Sequence, residues 1–316
     1  MNVTILGLGL IGGSLLHALT AHGHAVTGFD LSAETRTAAR SFADIADSIP
    51  AAVAGADVVV LAVPLPALPG VLAELTDFPG LITDVTSVKG PVRDLIAGQR
   101  FVGGHPMAGT AESGFAAADP HLFAGCAWVL CLEPETDLAD WLRLCALFTA
   151  LGARVVPATA DEHDEAVARI SHVPHLLAAA LANLIDGHPL AAALAAGSFR
   201  DGTRVAATRA ELIAAMCGGN AAAVRRVLPG VVEDLDSYAN ALSTPDPLTA
   251  LLRRPVELRR GWPAPAAEPV EVEPEREALW SLGRAGGWVS RVGVSGPADS
   301  GTKLVAMRPG TDRNSF

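Results

Sequence analysis

Gly7, Gly9 and Gly12 stand as GxGxxG at the end of the apolar run "VTILGLG", directly ahead of "GSLLHALTAHG", which has helical spacing and stops at Gly23. In that setting Gly7 turns the chain, Gly9 admits a pyrophosphate and Gly12 lets helix and strand pack. The backbone of Leu10 and Ile11 then opens a helix whose N-terminus faces phosphate. Asp30 closes the next apolar stretch, "HAVTGFD". A carboxylate there accepts hydrogen bonds from ribose hydroxyls and repels a 2′-phosphate, which favours NAD over NADP; Arg36, six residues on, argues the other way. A second group lies in "FVGGHPMAGT", where His105 sits between two glycines and a proline, a loop setting rather than an apolar face. An imidazole with the ordinary pKa of about 6.5 is suited to take a proton near neutral pH.

These residues need a scaffold. "VTILGLG", the helix after it and "HAVTGFD" form a βαβ unit, and further strands are expected at "ADVVVLAVP", "LITDVTS", "RFVGGHP" and "CAWVLCLE". The fold class expected is an α/β Rossmann-type doubly wound sheet over residues 1–157, followed by an all-α dimerisation domain over 158–254. "TADEHDEAVARISHVPHLLAAALANLIDG" reads as a long helix interrupted by Pro174. "TRAELIAAMCGGN" carries a capping box at Thr208 and Glu211, and "DPLTALLRR" has Asp246 at its cap. A helix as apolar as residues 172–184 must be covered on most sides, which predicts a homodimer through the helical domain. Residues 255–316 read as a Pro/Ala/Glu linker and a short α+β extension in the order strand, helix, strand, strand.

Composition excludes several classes. Of 316 residues half are hydrophobic, and the formal charge of −11 leaves no basic footprint, so no nucleic-acid partner is expected. The prolines within residues 51–72 argue against a membrane span. Cys126, Cys131, Cys145 and Cys217 show no CxxC pair and no metal-ligand spacing, which points to reduced thiols in a cytoplasmic protein without a metal.

With "GLGLIGGS", "FD", "DVTSVK", "GGHPMAG", "SHVPH" and "FRDGTRVA" in this order, residues 1–250 resemble the prephenate dehydrogenase family of tyrosine biosynthesis. The resemblance implies a homodimer that carries out the NAD-dependent oxidative decarboxylation of prephenate to 4-hydroxyphenylpyruvate. It makes His105 the residue that takes the substrate's ring hydroxyl proton, and Ser87 the residue that orients that histidine and the nicotinamide; Ser87 also reads as a helix cap before "VKGPVRDL". Asp84 and Lys89 are read as fixing this loop. His172 and His175 match the family's "SHxPH", either as contacts to substrate or partner subunit or as satisfied buried histidines. Arg204, with Arg200 beside it, matches the arginine that grips a substrate carboxylate, for which a planar fork donor is suited. Two departures stand out: Ala111, then Glu112, follow "HPMAGT" where the family often has an acidic residue first, and a family tryptophan is replaced around Leu212.

Three rivals remain. Arogenate differs from prephenate only in its side chain, and nothing in the sequence recognises an amine or a keto group. A β-hydroxyacid dehydrogenase uses a helix-borne lysine as base, whereas Lys89 and Lys303 are the only lysines here. A non-catalytic NAD-binding sensor would have no use for His105, Ser87 and Arg204 together. The tail's element order resembles the first half of a regulatory ACT domain, a remnant expected to pack on the catalytic body.

Overall fold

A computed structural model describes residues 1–110, 112–262, 266–294 and 302–310. Ala111, the "PAP" of the linker, and "SGPADSG" and "TDRNSF" of the tail lie outside the described residues. The chain divides into two compact units: residues 1–160 with the described part of 263–314, and residues 161–262.

The first unit begins β1 (Asn2–Leu6), α1 (Leu10–Ala21), β2 (Ala25–Phe29), α2 (Ala33–Ala39), β3 (Asp44–Ile45), α3 (Ile49–Val53), β4 (Val58–Leu61), α4 (Leu68–Ala73), β5 (Leu81–Asp84), α5 (Gly90–Leu95) and β6 (Phe101–Val102). These strands form one parallel sheet in the order β3-β2-β1-β4-β5-β6. Every residue of β4 and β5 is buried, as a strand covered on both faces requires. The order reverses between β1 and β4, the crevice at which open α/β sheets bind ligands.

Next come β7 (Gly104–Pro106), β8 (Ala127–Cys131), α6 (Leu138–Ala150) and β9 (Arg154–Ala158). The stretch "RFVGGHP" is therefore not one strand, as its sequence implies. Its first half pairs with β5 and its second half crosses to β8 in another sheet. The crossing falls at Gly103 and Gly104, and His105 lies just beyond it.

The second unit holds α7 (Ala160–Val167), a π-helical turn (Ala168–His172), α8 (Val173–Ala182), α9 (Pro189–Leu194), α10 (Gly197–Thr203), α11 (Ala210–Gly219), α12 (Ala221–Ala241) and α13 (Pro245–Gly261). Pro174 lies in the first turn of α8, where its missing N–H is tolerated, and the wide turn before it joins the two helices. Two caps differ from expectation. The N-cap of α11 is Arg209, because Thr208 still belongs to the preceding turn through a bond from its amide to the Val205 carbonyl. The N-cap of α13 is Thr244, because Pro245 occupies the first helical position and shifts Asp246 into the first turn. The helical unit also passes the boundary expected at residue 254. A proline in a helix interior removes one hydrogen bond and bends the helix without having to end it, and α13 runs through Pro255 to Gly261.

The tail returns to the first unit as β10 (Ala267–Val272), α14 (Arg276–Arg284), β11 (Trp288–Val294) and β12 (Thr302–Pro309). It completes a mixed second sheet, β10-β12-β11-β9-β8-β7, joined where Val289 pairs with Val155. Leu279, Leu282, Val289, Leu304 and Ala306 enter the same buried cluster as Trp128, Trp141 and Phe148. Trp280 Nε1 donates to the Leu132 carbonyl at 2.8 Å, and Arg276 donates to the carbonyls of Glu133 and Thr136. What reads in sequence as a short extension is structurally half of a sheet.

Candidate active site

The glycine fingerprint forms a cradle at the end of β1. Gly7 has φ +98°, and a side chain at Gly12 would collide with the Gly7 carbonyl at 1.9 Å, so loop and helix are packed as only glycines allow. Gly9 faces open space and caps α1 without a side-chain hydrogen bond, and the first turn of the helix holds no acidic residue. Orphan amides with a positive helix end, on an open side, suit the pyrophosphate of a dinucleotide. Asp30 lies at the tip of β2, where Oδ2 accepts from the Leu8 amide and Oδ1 from the Ser32 amide, both at 2.8 Å. Each oxygen keeps a lone pair for a ribose hydroxyl. Arg36, whose place in the sequence argued for a 2′-phosphate, spends Nη1 on the carbonyls of Asp30 and Leu31 at 2.7 and 3.0 Å.

His105 is half-buried on β7, paired across the sheet with Val129. Ser87 is half-buried in the loop after β5. It is not the cap of α5, because that helix starts at Gly90 with Lys89 in the N-cap position. Asp84 and Lys89 are enclosed, at 0% and 1% exposure, and form an ion pair. The loop that follows His105 turns back over α1. Phe115 stacks on His17 with centroids 5.4 Å apart, and buried Ser14 accepts from the Asp119 amide at 2.9 Å. The strand that carries His105 and the helix of the glycine cradle are thus tied together through one connection.

In the helical unit, His163, Asp164, His172 and Asn220 form a buried polar cluster. Asn220 Nδ2 donates to the Asp164 carbonyl at 2.7 Å and to His172 Nδ1 at 3.1 Å, which leaves the His172 proton on Nε2. Burial lowers the His172 pKa to about 4, against the opposing pull of the Asp164 charge. His172 is 1% exposed, which favours the satisfied buried histidine among its two readings. His175 is half-buried and donates Nδ1 to the Ser171 carbonyl at 2.8 Å, which frees Nε2. Arg200 and Arg204 are exposed, and neither guanidinium has a partner among the described residues. Both arginines are open in the single chain.

Residues 15–157 match the family model described as prephenate dehydrogenase, nucleotide-binding domain, and residues 159–252 match prephenate dehydrogenase, dimerization domain. The chain belongs to the prephenate dehydrogenase family. It is 37% identical over 225 residues to the prephenate dehydrogenase of Bacillus subtilis, covering 66% of this chain and 61% of that protein's length. It is also similar to solved structures of Synechocystis arogenate dehydrogenase (31% identity, TM-score 0.71, 83% of this chain and 100% of that one) and of A. aeolicus prephenate dehydrogenase with hydroxyphenyl propionate and NAD+ (26% identity, TM-score 0.76, 82% and 97%).

Within this member of the prephenate dehydrogenase family, the first unit brings the cradle, Asp30, Ser87 and His105 onto one scaffold. The second unit carries His175, Arg200 and Arg204. Asn220, His163 and Asp164 were missed as a group, because nothing local in "DEHD" or "GGN" signals a partner some 50 residues away. The departure at Leu212 falls on a 44% exposed position of α11.

Proposed function

We propose that the chain catalyses the oxidative decarboxylation of prephenate to 4-hydroxyphenylpyruvate with NAD. One observation carries the reading: His105 lies on β7, whose following loop is anchored to the glycine-cradled helix α1 through Ser14 and Asp119. The proton acceptor and the dinucleotide cradle therefore share one rigid frame at the crevice of the sheet.

NAD supplies the hydride acceptor when bound. His105 takes the ring hydroxyl proton as hydride leaves the same carbon, and the ring oxygen becomes a ketone. The ring carboxylate then departs as carbon dioxide, its bonding electrons aromatise the ring, and the proton returns from His105 to the oxygen. Ser87 orients the imidazole, Asp30 holds the ribose, and Arg204, with Arg200 and His175, holds substrate carboxylate. No further acid or metal is needed, because aromatisation drives the second half of the reaction.

The partner is a second copy of the chain. Leu190 and Leu194 are each 72% exposed and Leu242 69%, a density of large apolar side chains that isolated helices do not leave in water. Four unbridged cysteines support a cytoplasmic location.

Likeness to an arogenate dehydrogenase favours the amino analogue as the second reading. Steady-state kinetics with prephenate and arogenate, each with NAD and NADP, tests both. The expected result is highest kcat/KM for prephenate with NAD; preference for arogenate moves the assignment to the rival, and no turnover of either removes it.

A further inference from the structure

The buried pair Asp84 and Lys89 has no place in the chemistry above, yet it touches both segments that carry it. Gly103 and Met107 hydrogen-bond to β8, the first through the Cys131 amide and the second to the Ala127 carbonyl, each at 2.8 Å. Antiparallel strands alternate, so the peptide groups of Gly104 face away from β8, towards the end of β5. There Asp84 Oδ1 accepts from the Gly104 amide at 3.0 Å, and Lys89 Nζ donates to the Gly104 carbonyl at 2.7 Å. The other carboxylate oxygen, Oδ2, receives Lys89 and also the Thr86 amide at 3.0 Å. One carboxylate thus holds the residue before Ser87 and the residue before His105. No slack remains at Gly104, where a side-chain carbon would lie 2.6 Å from the Asp84 carbonyl.

Burying a lysine and an aspartate together is a poor way to gain stability, since desolvation offsets most of their attraction and apolar residues of the same size do as well. Such a pair earns its place by geometry. An apolar pair could not accept from the Gly104 N–H and donate to the Gly104 carbonyl. We propose that Asp84 and Lys89 are positioning residues that set the register of His105 against Ser87, so that the imidazole meets the substrate hydroxyl in a reactive geometry. The inference rests on the dehydrogenase reading for its kinetic consequence and on the fold alone for its structural one. A misplacement on the order of 1 Å costs roughly a hundredfold in rate, which sets the scale expected.

The test is a double-mutant cycle on the full-length chain. Lys89→Gln should lower kcat with prephenate roughly 10- to 100-fold, with KM for NAD close to wild type. In a His105→Asn background the same change should cost less than about twofold, because the group it positions is gone. Equal losses in both backgrounds, or no loss in the wild type, would overturn the proposal. If Lys89→Gln does not fold, Asp84→Asn takes its place in the cycle. Imidazole NMR gives a reading independent of turnover. The His105 ring resonances should shift and broaden in the variant while those of exposed His121 stay put, and an unchanged His105 signal would refute the positioning even in a chain that does not oxidise prephenate.

Discussion

In the first unit Trp128, Trp141 and Phe148 are wholly enclosed in a cluster that draws on both sheets. In the helical unit the buried cluster is Ala168, Val173, Ala223 and Val224, and long leucines stand in the open. The buried polar groups differ in kind as well. The first unit encloses a charged pair that makes three hydrogen bonds to backbone beside its own ion pair, and the second encloses a neutral histidine held by an amide. A sheet core closes on itself, so it can pin the His105 strand within one chain. A sparse helical core leaves both its apolar face and its arginines for something outside the chain, substrate or second copy.

The largest test of that contrast is to end the chain at Trp262. Five core side chains of the first unit come from the tail, and removing them opens a cavity far beyond the 2–5 kcal/mol typical of a single large-to-small change. Loss of the cooperative transition of the first unit is expected by calorimetry. A truncated chain that melts as the full one does would make the tail an ornament.

His172 tests the other side. Its pKa is about 4 in the folded chain and about 6.5 in the unfolded one, so between those values the unfolded chain binds more protons. Stability is therefore complete above about pH 6.5 and falls as pH drops towards 4, by on the order of 3 kcal/mol from this group. Urea unfolding of wild type and His172→Gln across that range reads the difference, and parallel pH slopes would show that His172 is not buried neutral.

Arg204→Ala should lower kcat/KM for prephenate by about 1.5–3 kcal/mol, the usual worth of a hydrogen bond to a charged group, mostly through KM. Arg204→Lys should recover part of it. An unchanged KM with a dissociated oligomer would move Arg204 from substrate to interface. The smallest effect belongs to Asp30→Asn, which keeps an acceptor for the Leu8 amide while removing the charge. The NAD over NADP preference, expected well beyond tenfold, should narrow by about 1 kcal/mol, in the range that a single surface charge contributes. A preference that does not move would assign the selection elsewhere.

The sequence by itself determined whatever depends on near neighbours. Three glycines at fixed spacing, an aspartate at the next strand end, and a proline in a helical run each act through backbone dihedrals and hydrogen bonds a few residues away, and all are readable in order. The same holds for the tail's order of strand, helix, strand and strand. Only the tertiary structure decided that "RFVGGHP" belongs to two sheets, that Asp84 grips a peptide 20 residues on, that Asn220 lies against His172, and that Val289 pairs with Val155. These contacts join residues whose separation along the chain carries no local signal. They form because burying apolar faces forces distant segments together and every polar group enclosed on the way must then find a partner.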